Sequence, residues 1–146
     1  MLEAVVSAAS LDVSDDLAER LRAEGQACGL RPSDLAAVLL REGPKTRQFP
    51  GVVYRDGPTG RRASLADGPD VWQVVRALQE VPPDEHDPVG MVCVEADLSV
   101  RQVRLAMQFY EAYPGEVDAK IADNHAAAAR LDAMISEREQ AIARGQ

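Results

Sequence analysis

Apolar positions along this chain fall into short helical stripes separated by glycine and proline, with one interval of strand-like residues between them. Val5 to Val13 is built from β-branched and small residues and predicts one short strand. Ser14 then stands where a helix N-cap belongs, and Asp15 and Asp16 place negative charge in the first turn. Leu17, Leu21 and either Ala27 or Cys28 give that helix one apolar face, and Gly29 ends it. Pro32 opens a second helix with Leu35, Val38 and Leu39 turned inward. Gly43-Pro44 is expected to stop it, leaving 43–48 as a linker. Val52–Arg55 and Arg62–Leu65 read as two strands joined by a turn from Asp56 to Gly60. Gly57 and Gly60 are expected to supply positive φ there, and Pro58 to stiffen the loop.

The second half is more helical. From Asp67 or Pro69 a helix carries Val71, Val74, Val75 and Leu78 as an i, i+3, i+4, i+7 stripe, with Trp72 beside it, until Pro82-Pro83. Residues 84–88 are an acidic loop. Val89 to Ala96 suits either state: Val89, Val92, Cys93 and Ala96 fit a helical stripe, while the valine content suits a strand. Leu98-Ser99 sets a hydrophobic residue before a Ser N-cap, with Val103 placed to close a staple. Val103, Ala106, Met107 and Tyr110 are expected to face inward from the helix that follows. Pro114 interrupts the chain, and a last helix is expected from Gly115 to Ala143. Its apolar positions Val117, Ile121, Ala128, Leu131, Ile135 and Ile142 share a seam with Asn124 and Arg138, too polar for a strong coiled coil.

Composition narrows the class. The chain has 146 residues, 46% of them hydrophobic but few aromatic, enough for one ordinary domain or two very small ones. No apolar run approaches the ~18 residues of a membrane span, and the N-terminus lacks the basic and apolar regions of a signal peptide. A soluble cytoplasmic protein is expected, with Cys28 and Cys93 as buried thiols.

The net charge of −8 argues by itself against nucleic acid, but its distribution does not. Arg41, Lys45, Arg47, Arg55, Arg61 and Arg62 face only Glu42 and Asp56, whereas Asp67 to Asp97 holds eight acids against Arg76. One surface can meet phosphates and another a basic partner; ordinary solvated charge gives the same pattern.

Catalysis finds little support. His86 and His125 have no metal-type neighbours, and Asp84, Glu85 and Asp87 lack the glycine and spacing of a calcium loop. Neither cysteine belongs to a nucleophile motif, and the Gly-Pro-Thr-Gly turn lacks the lysine of a phosphate loop. No enzyme, cofactor or metal is expected.

Three segments are distinctive: the GPTGRR turn, the DVW helix start and FYEAYPGEVDAKIADN. Over residues 49–125 they resemble the prokaryotic "domain of unknown function 433" family, whose members are similar to VapB-type antitoxins. Residues 1–43, as strand, helix, turn and helix, resemble more loosely a ribbon-helix-helix unit, in which paired strands of a dimer enter the major groove. Ala4 to Val13 departs from that pattern: it offers only serines and Asp12 where a DNA-reading ribbon carries Arg, Lys, Gln, Asn or Thr. A helical hairpin for dimerisation or packing is the reading that remains.

The resemblance favours a helix for Val89–Ala96, which makes Val89 to Glu111 a helix-turn-helix. The expected fold is mainly α: a winged helix-turn-helix-like domain with a small β-hairpin over 44–114, an N-terminal strand-helix-helix segment over 1–43, and a C-terminal helix over 115–146 for dimer or toxin contact. On the second helix, Arg101, Arg104 and Gln108, with Gln102 adjacent, have the side chains that read base edges; solvated helix surface is the plainer account. Arg55, Arg61 and Arg62 on or near the wing tip would then meet the DNA backbone. The resemblance implies an antitoxin of a type II toxin–antitoxin pair, a homodimer that neutralises a PIN-like ribonuclease and represses its own operator DNA. Val117, Ile121, Leu131, Ile135 and Ile142 would hold the toxin. The alternative is a stand-alone transcription regulator; a third reading, a pure interaction protein, uses the basic patch for protein contacts only.

Overall fold

The computed structural model describes residues 10–145 and divides the chain into two compact units, up to Lys45 and from Thr46 onward. It is mainly helical, with one small antiparallel sheet among the described residues.

Most of the expected strand Val5–Val13 lies outside the described residues, and Ser10 to Ser14 form neither helix nor strand. Helix α1 (Asp15–Cys28) opens as its sequence requires: the Ser14 hydroxyl accepts from the Leu17 amide at 3.3 Å. Gly29 closes it in the left-handed conformation. Helix α2 (Pro32–Gln48) follows, and here the expected stop at Gly43-Pro44 is corrected. The helix runs through Pro44 to Gln48, so 43–48 is no linker. Pro44 removes the amide that would pair with the Leu40 carbonyl, but both residues are exposed, and water can take that carbonyl.

This first unit encloses little. Leu35 is buried, Val38 and Leu21 are half-buried, and Leu17, Leu39, Ala27 and Cys28 are exposed. The inward placement expected for Leu17, Leu39 and Cys28 does not hold, because two helices in some 45 residues cannot surround a core. Cys93, the other expected buried thiol, is half-buried.

The second unit carries the core. Strands β1 (Val52–Arg55) and β2 (Arg62–Leu65) pair antiparallel, Val52 opposite Leu65 and Arg55 opposite Arg62, with the bounds read from sequence. In the turn, Gly60 adopts φ 90°, but Gly57 is not in the left-handed region. What Gly57 needs is space: a Cβ there would overlap the Arg62 guanidinium.

Helix α3 (Val71–Glu80) starts from Asp70, rather than Asp67 or Pro69, because Gln73 reaches back to accept from the Asp70 amide at 3.0 Å. Helix α4 (Pro88–Ala96) resolves the helix-or-strand ambiguity: the Asp87 carboxylate accepts from the Gly90 amide at 2.9 Å, and Pro88 sits at the tolerant first position. Helices α5 (Val100–Ala112) and α6 (Pro114–Arg144) complete the unit, α6 within a residue of its expected ends.

Val52, Ala63 and Leu65 of the hairpin pack with Val71, Val74 and Val75 of α3. Val92 of α4, Val103, Ala106 and Phe109 of α5, and Val117 of α6 close the same core. Met107, expected inside, is 40% exposed, and Phe109 takes the buried position two residues on. The turn of α5 that meets α3 and α6 is set by Val103, Ala106 and Phe109, which leaves Met107 at its edge. Phe49, Phe109 and Tyr113 stack edge-on or tilted with ring centroids 5.2–6.1 Å apart.

Candidate nucleic-acid and partner interfaces

Local sequence fixes the α4–α5 corner. Asp97 takes the left-handed conformation at φ 52°, and the Leu98 amide returns to the Cys93 carbonyl at 3.0 Å, ending α4. Two residues later Ser99 caps α5: its hydroxyl accepts from the Gln102 amide at 3.2 Å, and Gln102 Oε1 accepts from the Ser99 amide at 2.8 Å. Leu98 packs on the core that holds Val103. The result is a helix, a tight turn and a second helix whose inner face is fixed at Val103, Ala106 and Phe109.

The opposite face of α5 presents Arg101, Arg104 and Gln108, all exposed. Among the described residues none forms an ion pair or side-chain hydrogen bond with these three. Gln102 differs. It is half-buried, serves the capping box, and its Nε2 lies 3.4 Å from Asp67 Oδ1. Arg104 and Gln108 also border a shallow apolar groove between α3 and α5, with Val75, Leu78, Met107 and Tyr110. Tyr110 donates to Asp118 of α6 at 2.9 Å, and this bond to a carboxylate raises its pKa above the ordinary value.

The three hairpin arginines are placed unlike one another. Arg55 donates to the carbonyls of Leu65, Ala66 and Gly68 at 3.2, 2.7 and 3.3 Å, bracing the turn that leads into α3. Arg62 bonds the Asp70 carboxylate through Nε and the Asp56 carbonyl through a terminal nitrogen at 2.5 Å. Arg61 pairs with Asp56 at 3.3 Å, with its side chain 38% exposed. Arg55 and Arg61 are exposed, and Arg62 is half-buried.

Asp70 is the centre that the pattern of charges does not reveal. Besides Arg62, its carboxylate accepts from the fully buried Ser64 hydroxyl at 2.6 Å and from the Trp72 indole at 3.2 Å. The Asp-x-x-Gln spacing of a capping box was the available signal for its position. Nothing local announces the partners, because two of them come from the strand before it. The hairpin is tied to α6 by Tyr54, whose hydroxyl donates to Glu116 at 2.5 Å, and by Lys120, which donates to the Thr59 carbonyl at 2.5 Å. The basic segment thus holds a strand pair in place as well as carrying charge.

Along α6 the five expected partner residues separate. Val117 is buried in the core and Ile121 is half-buried against it, while Leu131, Ile135 and Ile142 are exposed, as is Met134. From Ala128 to Gly145 every residue of the chain is exposed. No described helix is long and apolar enough to cross a membrane, and no described group of His, Cys, Asp and Glu has the form of a metal site.

No protein-family model matches the chain, and no curated protein or solved structure matches it either.

Proposed function

We propose that this protein is a DNA-binding antitoxin: a homodimer that reads operator DNA with α5 of a winged helix-turn-helix and neutralises a PIN-like ribonuclease. The observation that carries the reading is the row Arg101, Arg104 and Gln108. It stands exposed on the second helix of the α4–α5 corner, while the other face of that helix is locked into the core. Arginine meets guanine and glutamine meets adenine in bidentate pairs, and a rigid helix is what such pairing needs. Arg61, exposed on the hairpin, would add a phosphate contact; Arg55 and Arg62 act by holding the hairpin, and Gln102 by capping α5.

Two further features favour an antitoxin over the stand-alone regulator. The exposed apolar residues of α6 call for a protein partner, and the resemblance over residues 49–125 supplies its class. The α1–α2 hairpin, with Leu17, Leu39 and Leu40 exposed, fits a dimerisation element.

The test is titration of a labelled fragment from upstream of the protein's own gene, followed by fluorescence anisotropy. The native protein is expected to prefer this fragment over a scrambled one, with affinity falling steeply as salt is added. Arg101→Ala with Arg104→Ala should weaken specific binding by ~2–6 kcal/mol, at about 1–3 kcal/mol per lost base contact. Equal affinity of variant and native protein would remove α5 from the DNA interface.

A further inference from the structure

The hydrogen-bonding side chain at the very start of α5 is taken up by the helix's own cap. The Ser99 hydroxyl accepts from the Gln102 amide at 3.2 Å and donates to Gln102 Oε1 at 3.0 Å. The side chain that follows, Val100, is 45% exposed. It is not the residue that anchors the corner, because Leu98 packs on the core beside Val103. In the second unit before Ala128, the other large apolar side chains left exposed are Val94 on α4 and Met107, which borders the groove between α3 and α5. Val100 alone of these stands at the N-terminal end of α5, next to Arg101.

Successive residues of an α-helix are turned by about 100°, so Val100, Arg104, Gln108 and Arg101 share an arc of about 100°. The buried Val103, Ala106 and Phe109 lie opposite that arc. Val100 therefore extends the exposed row by one position, to the tip of the helix. Its choice does not serve the helix. An acid in the first turn would complement the dipole, and α5 has none there. Valine restricts its own χ1 torsion, and Arg101 brings positive charge to the positive end.

In a helix-turn-helix the N-terminal residues of the second helix are the ones that meet base edges in the major groove. Those edges present donors and acceptors, with one apolar group among them, the C5-methyl of thymine. An apolar side chain pressed on a donor or acceptor leaves that group without a partner; pressed on the methyl, it removes apolar surface from water. We infer that Val100 is a specificity-determining residue that covers the C5-methyl of a thymine beside the base pair that Arg101 meets. This inference rests on the reading of α5 as the helix that binds operator DNA. It adds thymine to the bases that Arg101, Arg104 and Gln108 select, through a contact that involves no hydrogen bond.

The experiment uses the full chain and two forms of the duplex from upstream of its gene, one with thymine and one with deoxyuridine at every thymine position. Uracil lacks only the methyl and keeps every hydrogen-bonding group of thymine. Affinities are read by fluorescence anisotropy at one fixed salt concentration. The native protein should bind the uracil form about fourfold more weakly for each methyl covered, hence roughly 15-fold for a homodimer on two half-sites. Val100→Ser should weaken binding to the thymine form by a similar factor and bind the two forms within about twofold of each other. Val100→Ile, which keeps an apolar β-branched side chain, should retain the preference for thymine. Equal affinity of the native protein for both forms, or a thymine preference that survives Val100→Ser, would overturn the inference. Its failure is separable from that of the operator reading. Specific binding without a methyl effect removes the inference and keeps that reading; equal binding to this duplex and to a scrambled one removes both.

Discussion

Asp70 gathers three donors on one carboxylate, the Arg62 guanidinium, the Ser64 hydroxyl and the Trp72 indole. Asp70→Ala would leave Ser64, fully buried, without its acceptor and Arg62 without its charge partner. Breaking such a pair costs about 3 kcal/mol, here toward the lower end because both side chains keep some exposure. Urea unfolding followed by Trp72 fluorescence measures it directly; a change within about 0.5 kcal/mol, as for an ordinary surface substitution, would contradict this account. Tyr110 gives a pH signature. Its hydrogen bond to Asp118 raises its pKa above 10, so the stabilisation is fully present below the unfolded value and disappears as pH rises through the folded one. Tyr110→Phe should therefore flatten the alkaline fall of stability in thermal melts collected across pH, and an unchanged alkaline limb would refute it. At this scale the sequence was legible where a side chain answers its own neighbours, as Ser14 and Ser99 do. Asp70 and Arg62 were not, since their partners lie across a turn, and the arginines of the hairpin read as free charge until Arg55 and Arg62 were seen bonding within the fold.

Elements were legible where pattern and punctuation agree. Both strands, the α4–α5 turn and the start of α5 follow from local signals, the alternation about a turn and the capping box at Ser99. Pro44 misled because proline reports a missing hydrogen bond, not the end of a helix, and an exposed helix tolerates that loss. Phe109 is buried and Met107, expected inside, is not, because a stripe gives spacing but not the angle at which a neighbour approaches; with α3 and α6 both on α5, the inner face is broader than one stripe. The α1–α2 hairpin makes the prediction of this scale. Leu17, Leu39 and Leu40 are exposed at 44%, 49% and 58%, so the proposed homodimer should form through them. Leu17→Asp with Leu40→Asp should halve the mass seen in sedimentation at equal concentration, with helical circular dichroism kept in the second unit. An unchanged dimer mass would place the dimer contact elsewhere.

For the whole molecule the opposing terms are electrostatic. A net charge of −8 repels DNA at long range, so the proposed DNA binding would depend on a local patch, with the distant acids screened within about 8 Å at physiological salt. The acidic stretch from Asp67 to Asp97 would suit the proposed protein partner, were that partner basic. Charge asymmetry was visible in the sequence; which arginines face outward was not, because that depends on the hairpin's contacts. The measurement that bears most directly on the proposed function is ribonuclease activity in the complex recovered from native cells with a tag on this chain. The account predicts a stoichiometric PIN-like protein that is inactive toward RNA while bound and active once separated from this chain. Recovery of the chain alone or with DNA only, or of a partner equally active in the bound state, would contradict it.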